Sequence, residues 1–526
     1  MNWNLKQVLT ACLLGCITLV QAQINYTAND TVPVYQGHFG YGANMGYYPP
    51  WKDKEVADIA TGNPALGVAG VGVNSLRPAL PEHFLEQWGY DVRIKEFEHY
   101  QNIGNRNNTI FVGYPSDDHR DPTEFCEGTH SEVFDNMYLP IWDGGANGTP
   151  VNEANYYANY LYKMVTRYKD YARFWEISNE PDFDYTNHAW LPRGAAGSWW
   201  DNNPDPCQNA LKAPIFHYIR MLRISYEVIK TLDPDAYVAI GGLGYPSFLD
   251  AVCRNTDNPD NGSANPEFPL KGGAYFDCMS FHSYPHIDGS LRNWSNDIND
   301  FVYKRHSDAA ANGVLILKKE FEAVLKNYGY GQNYPEKTYI ITESNIPRVA
   351  FGDYIGSDKA QYNFLMKALI QVQKEDVLQF CVFNLGETKN ESAASSEFQL
   401  MGLYKNLNDV NPYEQIINSS GIAYRTTSNL LEKSKYNAEK TEELLLPDGV
   451  KGAAFVDDNG TATYALWAET KTDMSELATQ SYSFPPSLNV NTLLVKAWDY
   501  SKTGTIKTIT GSRLQLTGSP VFVSVR

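Results

Sequence analysis

The chain has 526 residues, 43% hydrophobic and 20% charged, with 39 glycines and 28 prolines. That profile excludes disordered, collagen-like and coiled-coil classes and leaves room for a large core plus a second domain. Lys and Arg number 43 against 61 Asp and Glu, a formal charge of −18, which excludes nucleic acid and acidic membrane surfaces as partners because both are themselves anionic. A neutral ligand suits this chain better, and its 13% aromatic content supplies either flat amphipathic binding faces or bulky core residues.

Residues 1–22 read as a secretory signal peptide: one lysine, an apolar run over 8–20, and the small-residue cleavage site Val20-Gln21-Ala22. Export to a periplasm or the medium is expected, with lipoprotein anchoring at Cys16 as the alternative, since Leu13-Leu14-Gly15-Cys16 has the form of a lipoprotein box. No later stretch reaches the ~18 apolar residues of a transmembrane segment. Outside the leader stand Cys126, Cys207, Cys253, Cys278 and Cys381. Cys207 and Cys253 lie in polar loops and are the better disulfide candidates; Cys278 and Cys381 fall in apolar runs and are expected as buried thiols. No paired Cys-x-x-Cys or His-Glu-x-x-His arrangement occurs, so no metal and no cofactor is expected. The segment Asp257-Asn258-Pro259-Asp260-Asn261-Gly262 reads as an Asx-rich turn in preference to a calcium loop.

From 35 to 430 short apolar runs alternate with helical patterns, the sign of a parallel sheet with crossover helices. Strands are predicted over 41–44, 72–77, 109–113, 173–179, 237–243, 276–283, 338–343 and 377–384. Helices are predicted from the stripes Tyr157, Leu161, Met164, Tyr168 and Ile215, Ile219, Leu222, Tyr226, Ile229, from Leu317, Phe321, Val324, Leu325, and from Ser357 through Leu369. Eight such units without a Gly-x-Gly-x-x-Gly loop predict a (β/α)8 barrel of class α/β, with its active face at the strand C-termini. Polar insertions at 115–147, 182–214 and 254–273 then wall a cleft over that face. Beyond 431 the runs 452–456, 463–468, 492–498, 504–510 and 521–525 predict a smaller all-β sandwich to residue 526, to which 24–34 adds a further strand.

Two strand ends carry acids. The run Arg173-Phe174-Trp175-Glu176-Ile177-Ser178-Asn179-Glu180-Pro181 ends the fourth strand, the proline stopping the ladder; the alternative is an N-cap with a solvated acid. Tyr339-Ile340-Ile341-Thr342-Glu343-Ser344-Asn345 ends the seventh. Strands four and seven lie across a barrel from each other and can hold two carboxyls about 5 Å apart, the spacing that glycoside cleavage with retention requires. Burial and the charge of Glu343 are expected to raise the pKa of Glu180, while hydrogen bonds from Arg, Tyr or His keep Glu343 ionised.

On these motifs the chain resembles the retaining glycoside hydrolases of clan A over the barrel, and the resemblance implies further roles. Glu180 is similar to their acid/base, Glu343 to their nucleophile and Asn179 to the residue that bonds the sugar 2-hydroxyl. Arg77, in Asn74-Ser75-Leu76-Arg77-Pro78, is similar to the arginine that steadies the nucleophile; a structural ion pair with Glu176 is the alternative. His282 and Tyr284, in Phe281-His282-Ser283-Tyr284, are similar to a pair that contacts substrate and nucleophile, with a satisfied barrel histidine as the alternative. The chain departs from the pattern in having Ser178 before Asn-Glu-Pro and Phe383-Asn384-Leu385-Gly386-Glu387 where a tryptophan is usual, so Asn384 or Glu387 is left to contact sugar hydroxyls. The resemblance implies a β-linked glycan substrate. Tyr47, Tyr48, Trp51, Trp190, Trp199, Trp200 and Trp294 are candidates for stacking, which favours an oligo- or polysaccharide. The rival readings are a catalytically silent glycan-binding protein and a polysaccharide lyase, neither of which needs both glutamates.

Overall fold

The computed structural model describes residues 26–526; the predicted signal peptide, with Cys12 and Cys16, lies outside the described residues. Eight parallel strands form one sheet: β1 (Gly40–Ala43), β2 (Ser75–Leu76), β3 (Asn108–Val112), β4 (Ala172–Ile177), β5 (Tyr237–Ile240), β6 (Cys278–Ser283), β7 (Thr338–Ser344) and β8 (Val377–Val382). Their order is β2-β1-β8-β7-β6-β5-β4-β3, and a bridge between Ala79 and Phe111 joins the two ends into a barrel. At that seam the Phe111 amide donates to the Pro78 carbonyl over 3.0 Å and Leu80 to the Phe111 carbonyl over 3.2 Å. Strand β2 is cut short there because Pro78 and Pro81 supply no backbone donor.

The predicted helices form around this sheet as Tyr156–Tyr168, Ile215–Leu232, Ser307–Asn327 and Asp358–Lys374. The stripe tyrosines of the first are buried. The second stops at Asp233-Pro234, and the last is capped by Ser357, whose side chain accepts from the Ala360 amide over 3.0 Å. Strand β4 ends two residues before the predicted boundary because Ser178 leaves the extended region, with φ +69°.

Residues 26–34 form no strand on the sandwich. They run beneath the barrel instead: Pro33 accepts from the Tyr237 hydroxyl over 2.8 Å, and Val32 and Tyr35 pack on Phe174, Tyr237, Ala239, Cys278 and Ile340. The inward apolar side chains at the strand N-termini need a cover, and the N-terminal segment is what supplies it.

The C-terminal region contains β9 (Ser434–Asn437), β10 (Val450–Asp457), β11 (Ala462–Ala468), β12 (Thr479–Ser483), β13 (Thr492–Lys496), β14 (Ile506–Thr510), β15 (Arg513–Thr517) and β16 (Val521–Val525). They pair as a six-stranded sheet, β9-β10-β11-β16-β13-β14, and a two-stranded one, β12-β15, about a core that includes Leu466, Tyr482, Leu493, Leu516 and Val523. Buried polar groups join the sandwich to the barrel. Asp308 accepts from Lys367, the Trp467 indole and both donors of Thr470, each over 2.7 Å, and Glu476 accepts from the Ser307 amide and Asn363, each over 2.8 Å.

The disulfide is Cys126–Cys207, with Cα atoms 5.2 Å apart, so the sequence-based choice of Cys253 is corrected. Cys253 lies in the helix Pro246–Arg254 and is buried, as are Cys278 and Cys381; the apolar face of that helix, hidden in a polar stretch, takes it out of reach of Cys207. Asp257 bonds to Arg220 and Arg223, and Asn258 and Asn261 accept from the amides of Asp260 and Ser263, which makes 257–262 an Asx-rich turn. Among the described residues no helix is long and apolar enough to cross a membrane.

Candidate active site

The barrel interior holds a column of polar side chains rising from the apolar floor to the strand C-termini. Glu176, fully buried in β4, accepts from Ser280 over 2.7 Å and Thr342 over 2.6 Å on one oxygen, and from Arg77 Nε over 2.7 Å on the other. The guanidinium of Arg77 continues upward: Nη1 donates to Glu343 over 2.6 Å and to Asn44 over 3.1 Å, and Nη2 to Asn179 over 2.6 Å. Arg77 therefore forms the ion pair with Glu176 read as one alternative and bonds Glu343 through the same fork. Burial opposes its charge, but Glu176 and Glu343 outweigh that and push its pKa above the ordinary arginine value.

Thr342 and Glu343 are consecutive, yet both bond inward. A regular strand would send one of them outward. The ladder explains it: Phe281 pairs with Ile341 but His282 with Glu343, a shift that leaves Thr342 unpaired in a bulge. Glu180 is brought in by the opposite device, a left-handed backbone at Ser178 (φ +69°) and at Glu180 itself (φ +46°), conformations that non-glycine residues hold only when their surroundings impose them.

An oxygen of Glu180, a ring nitrogen of His282 and an oxygen of Glu343 lie within 4.8 Å of one another. The Tyr284 hydroxyl donates to Glu343 over 2.7 Å, and His282 Nδ1 lies 2.6 Å from Glu180. His282 Nε2 is 3.1 Å from the Thr342 hydroxyl, whose hydrogen is directed to Glu176. With its hydrogen there, Thr342 accepts from the ring at Nε2 and Glu180 faces Nδ1, an arrangement that favours the imidazolium cation. Burial pulls the His282 pKa down, but Glu343 and Glu180 raise it above the ordinary histidine value. The ring fits because Gly242 has no Cβ; a methyl there would collide with the imidazole.

That cation corrects the expectation for Glu180. Burial alone would raise its carboxyl, but the His282 hydrogen bond and charge, with Arg77 behind them, hold it below the ordinary carboxylate range. The partner that the sequence did not disclose was a charge from β6. Tyr284 shifts the other way: burial and the charge of Glu343 keep its phenol protonated, well above the ordinary tyrosine value.

The cleft over this centre, of about 500 Å³, is lined by Asn179, Glu180, His282, Tyr284 and Glu343 together with Asp182, Phe183, Trp190, Tyr245 and Phe398. Glu180 is 32% exposed and Glu343 13%. Asn384 follows Phe383 on the cleft wall but is buried, its Oδ1 without a partner. Glu387 is buried too and forms a two-pronged ion pair with Arg348, which removes it from sugar contact. Of the stacking candidates, Trp190 is 51% exposed and lines the cleft. Tyr48, Trp51 and Trp199 are core residues, Trp51 donating to the Leu407 carbonyl over 3.0 Å.

Reading the sequence missed Asp182, Phe183, Tyr245 and Phe398. Asp182 accepts from the amides of Gly244 and Tyr245, both over 2.8 Å, and burial pushes its carboxyl up to about 7. Its place two residues after Glu180 was the one available signal. The trio Glu180, His282 and Glu343 has metal-ligand chemistry, but its donors already bond one another, Arg77 and Tyr284, and the Arg77 guanidinium occupies the cationic position beside Glu343.

The segment 128–351, which contains both glutamates, matches the family model Cellulase (glycosyl hydrolase family 5). A search of the curated proteins gave no match. Among solved structures the chain is similar to a family 39 glycoside hydrolase from the gut symbiont Bacteroides cellulosilyticus WH2, with TM-score 0.56 and 16% identity over 93% of this chain and 81% of that one. It is also similar to a GH30 endoxylanase from Clostridium papyrosolvens C71, with TM-score 0.47 and 12% identity over 94% and 98%. At such identities the first likeness speaks to the fold, an eight-stranded barrel with a β-domain behind it.

Proposed function

We propose that this chain is a glycoside hydrolase of clan A that is exported and cleaves a β-linked oligo- or polysaccharide with retention of configuration, Glu343 acting as nucleophile and Glu180 as acid/base. The observation that carries the reading is the approach of the two carboxylates, oxygen to oxygen within 4.8 Å. Retaining pairs stand about 5–5.5 Å apart and inverting pairs about 6.5–9.5 Å, since the latter must admit a water.

In the first step a Glu343 oxygen bonds to the anomeric carbon as the glycosidic C–O bond breaks. The leaving oxygen takes the proton shared between Glu180 and His282, 2.6 Å apart. Arg77 and Tyr284 hold Glu343 by 2.6 and 2.7 Å bonds, fixing its angle of attack and keeping it ionised. In the second step Glu180 removes a proton from water, the hydroxyl bonds to the anomeric carbon, and Glu343 departs. Asn179 accepts from Arg77 on Oδ1, which leaves its Nδ2 to donate to a sugar hydroxyl. Export is supported by the leader and by the Cys126–Cys207 disulfide, a bond that persists in oxidising compartments.

The test is a panel of β-glycans with the single variants Glu180→Gln and Glu343→Gln, with and without azide. Both variants should lose turnover, and azide should restore it through glycosyl azides of opposite anomeric configuration. An unsaturated product, or full activity in Glu343→Gln, would show a lyase; no product from the unmodified protein on any glycan would leave a binding protein.

A further inference from the structure

A second cavity, of about 270 Å³, lies on the other side of the Asn-Glu-Pro turn, lined by Tyr114, Glu132, Tyr185 and Leu211 and sharing Asn179 with the catalytic cleft. We propose that it is a subsite for one uncharged sugar unit of the same glycan, adjoining the unit that reacts; the proposal rests on the hydrolase reading above.

Three observations lead there. The first is proximity, because Asn179 lines both the cleft and this cavity, which is large enough for one ring and too small for several. The second is chemistry. Tyr185 keeps 59% of its surface exposed and offers a flat face to the C–H side of a sugar, while the Tyr114 phenol and the Glu132 carboxylate supply a donor and an acceptor for hydroxyls. Glu132 is 3.0 Å from Arg120 and its carboxylate in the lining repels a uronate or sulfate; Lys212 lies over one face of the Tyr185 ring, 4.1 Å from its centroid, and leaves the sugar the other.

The third is preorganisation. The walls come from two insertions, 115–147 after β3 and 182–214 after β4, and these are tied together twice: by Cys126–Cys207 and by the Glu132 amide donating to the Leu211 carbonyl over 2.8 Å. On the floor, Tyr114 has φ +38° and Ser178 φ +69°. Such residues are strained and are retained where their surroundings over-determine the conformation, most often at binding sites. A wall fixed in advance loses little freedom when a ring settles against it.

The experiment compares Tyr185→Ala and Glu132→Gln with the unmodified protein on two kinds of substrate. One is the polymer that the unmodified protein cleaves from a panel of β-glucan, xylan, mannan and galactan; the other is the 4-nitrophenyl β-glycoside of its monomer, too short to reach past Asn179. Tyr185→Ala should raise KM for the polymer about tenfold, Glu132→Gln several-fold, and the loss in kcat/KM on the polymer should exceed that on the aryl glycoside at least fivefold. Reduction of Cys126–Cys207 with dithiothreitol should raise KM for the polymer in the same direction. Equal losses on both substrates, or none on the polymer, would overturn the subsite while leaving the hydrolase standing. If the unmodified protein cleaves no polymer in the panel, both fall together.

Discussion

Two buried charge networks in this molecule use the same side-chain chemistry to opposite ends. Between barrel and sandwich, Asp308 receives four donors at 2.7 Å, and the Lys367 side chain has no exposed surface. In the barrel mouth, Arg77 spans Glu176, Asn44, Asn179 and Glu343, but Glu343 and Glu180 keep faces open to the cleft. The closed network turns its charges on one another and away from the solvent, and serves stability. An open one leaves acceptor capacity for something that is not part of the chain. Burial of charge is thus no sign of function by itself; the unfilled lone pair beside it is.

The largest effect that would test this contrast is the loss of the nucleophile. Glu343→Gln should lower kcat by about 10⁴-fold or more (~5.5 kcal/mol) with thermal stability kept within ~1 kcal/mol, measured by turnover and calorimetry. Next, Asp308→Asn strands the buried Lys367 ammonium and should cost about 3–5 kcal/mol of stability while kcat of the folded protein at 25 °C stays as it was; a matching fall in kcat would erase the distinction. That gap should also depend on pH. Burial disfavours the charged form of Asp308, but Lys367 prevails and holds the carboxyl below its ordinary value. Its contribution is then whole above the unfolded pKa of ~3.9 and is lost as pH falls through the folded one.

In the open network, His282→Gln should lower the rate at neutral pH on the order of ten- to a hundredfold and displace the alkaline limb of kcat/KM. In the unmodified protein the shared proton is lost as pH rises through the raised His282 pKa, above the ordinary 6.5; without the ring, Glu180 alone must hold it and the limb moves to lower pH. An unmoved limb would remove His282 from the proton path. The smallest effect belongs to the rim: Trp190→Ala should raise KM roughly three- to tenfold, by ~1 kcal/mol of lost ring contact, with kcat unchanged.

Much of this was legible in the chain itself. The eight strands and four helices follow from hydrophobic period, and the two glutamates stand out because each closes an apolar strand. What the sequence hid was set by contacts distant along the chain. Glu343 faces inward through a bulge against β6, and alternation along β7 alone would have put Thr342 and Glu343 on opposite sides. The charge state of Glu180 depends on a ring 102 residues away. Cys253 looked available because its surroundings are polar, but helical spacing turns it into the core. Glu387, a promising polar residue at a strand end, is taken by Arg348, which no local pattern announces.

Strand β1 opens the barrel and β8 closes it, Gly40 lying beside Gln379. During synthesis, at ~5–20 residues per second, the first strand therefore waits roughly 20 to 70 s for its neighbour to be made. Throughout that interval an uncapped sheet border is available to any other nascent polypeptide, the situation from which misassembly begins. A chain threaded out of the cell unfolded, as the proposed export route requires, meets its own last strand only after leaving the crowded ribosomal compartment. Retaining the protein inside the cell by deleting the leader should then yield inclusion bodies before it yields enzyme.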